Sequence, residues 1–198
     1  VDRLVGSEMC IRDRLIIDPN NNNVFYATTQ GATEYTDKVG DGAGVFKSTD
    51  RGNNWTQINN GLDSLETNIL TVDPNDSETL YLGTDDDGVY KSTDGGESWK
   101  KLTVSSLSKS FGVGDIIVDP QNSNNIYIGT VDYFRLSESR GVLGDFGVYK
   151  STDGGATWEE FNVGLNHLGV FSLELSEENR ILYAGTRAGG VYWISLDN

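Results

Sequence analysis

Cysteine, methionine and histidine each occur once in this chain of 198 residues, and proline only three times. A single thiol, Cys10, permits no intramolecular disulfide and no cysteine-based metal cluster. The lone histidine, His167, has no cysteine, serine or second histidine placed with it as a catalytic triad or a zinc site requires. Basic residues are scarce too: 15 Lys and Arg stand against 30 Asp and Glu, a formal net charge of −15. Nucleic-acid backbones and anionic membrane surfaces would be repelled, so neither is expected as a partner. No apolar run approaches the roughly 20 residues a transmembrane helix needs, so direct membrane insertion is not expected either. Nor does any stretch carry helical periodicity.

What the chain has instead is glycine, 24 residues of it, and an aromatic content of 10% that includes four tryptophans. One phrase, Ser-Thr-Asp-x-Gly-x-x-Trp, recurs three times, at Ser48 to Trp55, Ser92 to Trp99 and Ser151 to Trp158. Each copy follows a Gly-Val-(Phe/Tyr)-Lys run. Upstream of each come an apolar run ending in Asp-Pro (Asp18-Pro19, Asp73-Pro74, Asp119-Pro120), a polar turn, and a second run around Tyr26, Tyr81 or Tyr127. Short runs rich in Val, Ile, Tyr and Thr, bounded by Gly, Pro, Asn and Asp, read as strands. Four antiparallel strands in each unit of about 40 to 50 residues is the signature of a propeller blade. The expected fold class is therefore all-β, a propeller arc of about four blades.

The blades are expected at 15–62, 67–103, 114–165 and 169–198. The fourth carries its first three strands, but Ile194-Ser195-Leu196-Asp197-Asn198 stands where the repeated phrase belongs, so an outer strand is missing. The whole reads as the C-terminal arc of a larger propeller, with the remaining blades of the parent chain as its neighbours. Val1–Arg14 lies outside the repeat and holds both Met9 and Cys10. It reads as a non-native or linker segment, of the kind a translated sequencing adapter leaves.

The phrase itself is explained by folding. A hairpin between third and fourth strands needs residues that accept positive φ, supplied by Gly95-Gly96 and Gly154-Gly155, with Gly52 in the first copy. Asp50, Asp94 and Asp153 are expected to accept from backbone amides one to three residues on, while Ser48, Ser92 and Ser151 tie down the strand ends. Trp55, Trp99 and Trp158 bury their rings beside the turn. A carboxylate engaged this way has a lowered pKa and is a poor acid or base.

Strand alternation places these turns on one face together with the Asp-Pro turns. The opposite face receives the second-to-third loops, long at Gln30 to Ala43 and Val131 to Phe146 and short in the other blades. Insertions on one face of a rigid array are where binding surfaces are built. Ligand-binding candidates there are Tyr35, Tyr133, Phe134, Arg135, Asp85 and His167, and catalytic candidates by residue type are Asp132, Asp145 and Glu34. Aromatic rings among carboxylates suit a sugar-binding cleft, though the rings also serve to pin their own loops. Asp85-Asp86-Asp87-Gly88 invites a calcium reading, but it lacks the alternating oxygens and closing glutamate of a calcium loop and reads as a solvated hairpin tip. For His167 a packing or solvent-exposed role is favoured. No metal and no cofactor is expected.

The phrase after Gly-Val-Tyr-Lys resembles the Asp-box, or BNR-repeat, propellers, and within them the sortilin-like and xyloglucanase-like branches more than the sialidases. The resemblance covers Leu15 to Tyr192. It implies an exported protein, extracellular, periplasmic or on the cell surface, that binds a glycan or a protein. The alternative it implies is part of a xyloglucanase-like glycoside hydrolase, or less closely a sialidase, using paired carboxylates.

Overall fold

The computed structural model describes residues 14–29, 42–105, 107, 111–132 and 146–196. Glu34, Tyr35, Tyr133, Phe134, Arg135 and Asp145, together with Val1–Asp13, lie outside the described residues. Among the described residues fifteen strands form four antiparallel sheets, each a meander in chain order. The first sheet is β1 (Arg14–Asp18), β2 (Asn21–Thr29), β3 (Gly44–Ser48) and β4 (Thr56–Gln57). The second is β5 (Thr67–Asp73), β6 (Asp76–Thr84), β7 (Val89–Ser92) and β8 (Lys100–Lys101). The third is β9 (Gly112–Val118), β10 (Ile126–Val131), β11 (Val148–Ser151) and β12 (Glu159–Glu160). The fourth has β13 (Val170–Ser176), β14 (Ile181–Thr186) and β15 (Gly190–Ser195).

The inner strands of the second and third blades are apolar on both faces because each of these blades is covered on both sides. On β6, Leu80 and Leu82 face the first blade and join Tyr26, Val45 and Trp99 in one core. Tyr81 between them faces the third blade, packing with Ile116, Ile126, Ile128 and Trp158 in the next. A third core forms where Tyr127 and Val148 meet Leu173, Leu182 and Ala184. A two-residue period thus feeds alternate side chains into successive interfaces, as a blade stack requires.

Three further devices bind each blade to the one after it. The aspartate of each Asp-Pro turn accepts a hydrogen bond from the following blade: Ser77 Oγ to Asp18 at 2.9 Å and Ser123 Oγ to Asp73 at 2.8 Å. At the third junction Arg180 takes the serine's place, donating from both terminal nitrogens to Asp119 at 2.9 and 2.6 Å. Second, in each of the first three blades the lysine of the third strand lies over the tyrosine of its second strand. In the first two it then donates to a glycine carbonyl in the following Asp-box: Lys47 to Gly95 at 2.8 Å and Lys91 to Gly154 at 2.9 Å. Third, Gly44, Gly88 and Gly147 donate their N–H groups forward to the carbonyls of Leu65, Phe111 and Leu168.

Inside the boxes the aspartate reaches further than expected. Asp94 Oδ1 accepts from the Ser98 amide, four residues on, at 2.9 Å and from Ser92 Oγ at 2.6 Å, and its Oδ2 accepts from Ser98 Oγ. Asp50 with Asn54 and Asp153 with Thr157 repeat the pattern. The expectation of one to three residues missed this because the box spans a wider turn than an Asx-turn. Chiefly through the Ser92 hydroxyl, and in Asp153 chiefly through Thr157, the carboxyl pKa falls to about 2. Two residues of the turn sit in the left-handed region, with φ of 67° and 93° at Gly95 and Gly96 and 62° and 84° at Arg51 and Gly52. Arg51 is thus the non-glycine member of an otherwise all-glycine set. Trp99 and Trp158 are buried, whereas Trp55 is only half-buried.

Candidate functional site

The face opposite the boxes is organised by one threonine per blade, at the end of each second strand. Thr29, Thr84, Thr130 and Thr186 donate from Oγ1 to the carbonyls of Gly44, Gly88, Gly147 and Gly190, across sequence separations of 15, 4, 17 and 4 residues. The same hydroxyls accept amides of Ala43, Asp87, Phe146 and Gly189. Loops of very different length therefore leave the sheet from an identical stem. Long insertions can vary on such a stem without disturbing the blade beneath.

The short loop of the second blade is braced, which corrects the reading of Asp85-Asp86-Asp87 as a solvated tip. Asp85 is 1% exposed and its amide donates to the Glu66 carbonyl at 3.0 Å. Asp87 accepts from the Tyr90 hydroxyl on Oδ2 and pairs with Lys101 on Oδ1. Burial, and then the bond to Asp87, push the Tyr90 phenol well above its ordinary range. The crossing from the first blade caps this network, with Asp63 N donating to Tyr90 Oη at 3.2 Å and Ser64 Oγ to Asp86 at 3.4 Å.

Around the third and fourth blades the grouping is different. Asp132 is 1% exposed, and its backbone carbonyl accepts from the guanidinium of Arg187, which extends from the β14–β15 turn. The Arg187 guanidinium lies 5.2 Å from the centre of the Phe171 ring, and its amide is held by the Gly169 carbonyl at 2.8 Å. Phe171 is 36% exposed and occupies the bulge between Val170 and Ser172. Bulges recur at the same place in β5 and β9, where Asn68 and Gly114 are the extra residues. The bulge re-aims its side chain toward the loop face. Sequence reasoning passed over Arg187 and Phe171, since neither belongs to a motif. Their signal is positional: both appear once the four repeats are aligned on the terminal threonine.

His167 is exposed in the crossing between the third and fourth blades, against the backbone of Gly189, where an added Cβ would meet its ring at 2.3 Å. Among the candidates that are described, Asp132 and His167 thus lie toward the Arg187 loop, while Asp85 sits at the neighbouring stem. Neither Asp85 nor Asp132 presents its carboxylate as an exposed group. Among the described residues no cluster of three or more His, Cys, Asp or Glu is placed to hold a metal ion. A further, half-buried acid, Asp115, lies in the junction of the third and fourth blades, where it accepts from Leu173 N at 2.8 Å and Ile116 N at 2.9 Å. Burial raises its pKa against those two bonds.

Four-stranded blades joined face to face, with box turns on one rim and variable loops on the other, define an Asp-box propeller arc. Residues 43–192 match the family described as Sortilin, neurotensin receptor 3 (Sortilin-Vps10), and the chain belongs to that family. It is 36% identical over 96 residues to the xyloglucanase Xgh74A of Acetivibrio thermocellus, a stretch that is 44% of this chain and 11% of that enzyme. It is similar in structure to an ancestral GH74 enzyme, with a TM-score of 0.71, 25% identity, and coverage of 91% of this chain and 22% of the other. The GH74 enzyme of Niastella koreensis aligns with a TM-score of 0.67 at 27% identity, covering 92% of this chain and 28% of that one. The chain therefore spans about a tenth of the curated relative it matches and under a third of these solved structures.

Proposed function

We propose that this arc is a recognition unit of an exported propeller, binding a glycan or a protein through the face opposite the Asp-boxes. The observation that carries the reading is the Arg187–Phe171 pair beside Asp132. A guanidinium stacked on a half-open ring and anchored at one nitrogen offers further N–H donors beside an apolar plate, the combination that orients polyhydroxylated or peptide ligands. It stands beside Asp132, from which the insertion of the third blade leaves. Calorimetric titration with xyloglucan oligosaccharides and with a glycan panel tests the reading. Arg187→Ala is expected to weaken binding about tenfold, as loss of an arginine anchor does. Binding that ignores Arg187→Ala and Phe171→Ala would place recognition elsewhere.

A second reading, that the arc is part of a glycoside hydrolase, is supported by the identity to Xgh74A. Retaining or inverting hydrolysis needs two carboxyl groups about 5 to 5.5 Å or about 6.5 to 9.5 Å apart. Asp132, Asp145 and Glu34 are the acids on offer in this chain, and the remaining blades of the parent protein would supply others. Release of reducing ends from xyloglucan by the parent protein, abolished in Asp132→Asn, is the outcome expected of this reading. Turnover unchanged in that variant removes Asp132 from the chemistry.

A further inference from the structure

The segment that leaves β4 toward the second blade carries the chain's one asparagine-glycine step, Asn60-Gly61. Asparagine is a thermolabile residue, and before glycine its side-chain carbonyl is open to attack by the next main-chain nitrogen, because no Cβ hinders the five-membered ring. The fold decides whether that nitrogen is available. Among the described residues three aspartates also precede glycine, and in each case the glycine amide is already engaged. Gly88 donates to the Phe111 carbonyl at 3.0 Å, Gly95 to that of Glu78 at 2.9 Å and Gly154 to that of Asn124 at 3.1 Å. Their carboxylates are engaged as well, Asp87 by Tyr90 and Lys101, Asp94 and Asp153 by the box serines. The Gly61 amide, by contrast, donates to no acceptor among the described residues. Asn60 itself is exposed, and its side-chain amide makes one long bond, 3.4 Å from Nδ2 to the Glu97 carbonyl. Asn59 beside it is pinned at both ends, accepting from Val45 N at 2.8 Å and donating to the Ala43 carbonyl at 2.9 Å.

The repeat separates the required half of the step from the other. Gly61 has a φ of 92°, and a Cβ there would come within 2.2 Å of the Trp99 carbonyl oxygen, so glycine is fixed. Asparagine at 60 is not. Asn162 accepts from Val148 N at 2.7 Å as Asn59 does from Val45, so the equivalent step in the third blade is Val163-Gly164, with a φ of 78° at its glycine. What residue 60 gives the first junction is its main chain, whose carbonyl accepts from Trp99 N at 2.9 Å.

We propose that Asn60 is a site of covalent modification, losing its side-chain amide through a succinimide formed with Gly61. The Gly61 nitrogen gives its proton to solvent and bonds to Cγ of Asn60, the bond from Cγ to Nδ2 breaks, and ammonia leaves with a proton from water. Water then opens the ring. Cleavage at Cγ leaves aspartate, and cleavage at the main-chain carbon leaves isoaspartate, whose main chain is longer by one carbon. The second product turns the carbonyl that Trp99 uses into a carboxylate branch and moves Gly61 off its close contact with Trp99. The junction between the first and second blades is loosened as a result.

The test is to hold the folded chain in warm, mildly alkaline buffer, which favours loss of the Gly61 proton, and to follow each asparagine by peptide mass spectrometry. Isoaspartate is read separately by enzymatic methylation of its free α-carboxylate. Asn60 is expected to lose its amide before every other asparagine of the folded chain. The isoaspartyl fraction, separated by ion exchange, is expected to melt about 3 °C below the parent, the shift of one lost hydrogen bond in a chain of this size. Asn60→Val, which installs the residue the third blade uses, is expected to keep the parent melting temperature and to abolish the modified species. Amide loss at Asn60 no faster than at Asn59 or Asn162, or a modified species that persists in Asn60→Val, would overturn the proposal. An isoaspartyl fraction that melts with the parent would overturn the loosening of the junction.

Discussion

Removing Arg180 should unfasten the fourth blade. Asp119 is fully buried, and the Arg180 side chain is only 16% exposed, so their paired hydrogen bonds at 2.9 and 2.6 Å sit away from water. Breaking a buried pair by deleting one partner costs about 3 to 5 kcal/mol, mostly because the other charge is left uncompensated. Asp119 keeps two weaker partners, the Gln121 amide at 3.0 Å and Asn125 Nδ2 at 3.4 Å, so the lower end applies. Arg180→Met is expected to lose about 3 kcal/mol in urea titration. In a chain of this size that is a fall of about 10 °C in melting temperature. The double variant Asp119→Asn, Arg180→Met recovers about 2 kcal/mol, since a neutral group replaces the stranded charge. The pH dependence has a definite sign. Burial pushes the Asp119 carboxyl up, but Arg180, the Gln121 amide and Asn125 together hold it below its ordinary value. Its contribution is therefore full above the unfolded value of about 3.9 and is lost as pH falls through the lower folded value. The deficit of Arg180→Met should be greatest near neutrality and narrow in acid, where Asp119 is protonated in both proteins. A loss under about 1 kcal/mol at pH 7, the range of an exposed pair, would refute the reasoning.

Other outcomes follow from the repeat. Arg51→Gly should stabilise by about 1 kcal/mol in urea titration, because Arg51 alone among the box turns forces a side chain into the left-handed region where Gly95 and Gly154 stand in the other boxes. Asp94→Asn should lower the melting temperature while leaving any binding by the opposite face unchanged. The contribution of Asp94 and Asp153 should persist in acid until pH falls from about 3.9 toward about 2, readable as a shifted acid-unfolding midpoint. Lys91→Met should cost about 1 kcal/mol through loss of its bond to the Gly154 carbonyl, measured by chemical denaturation. Asp115, whose pKa is raised, runs the other way: its contribution is full below about 3.9 and declines as pH rises through the folded value, so Asp115→Asn should flatten that limb of the stability profile.

The blades were legible because each is announced by period-two apolar runs and by glycines that only a turn explains. The four-strand meander follows from Tyr26, Tyr81 and Tyr127 recurring at one offset from the boxes. What holds blades to one another was not legible. Asp18, Asp73 and Asp119 stand out as Asp-Pro turns, but their partners Ser77, Ser123 and Arg180 come 59, 50 and 61 residues away. No local rule ties an aspartate to a residue in the next unit. Asp85 was misread for the same reason: an Asp-Gly turn signals exposure locally, and its burial comes from the crossing segment around Glu66. Arg187 and Phe171 carry no motif, and they meet only because a bulge in β13 and the turn before β15 share a rim.

The Asp-Pro and lysine contacts join the forward surface of one unit to the rear surface of the next. The first two units each offer an acceptor aspartate and a donor lysine forward and receive a partner side chain and a box carbonyl in return, and the third offers Asp119 to Arg180. Such head-to-tail wiring sets no final count. Excising the second unit would bring the forward surface of the first against the rear surface of the third, where Ser123 can meet Asp18 and the Gly154 carbonyl can meet Lys47. Such an array can therefore gain or lose a unit without inventing a new junction.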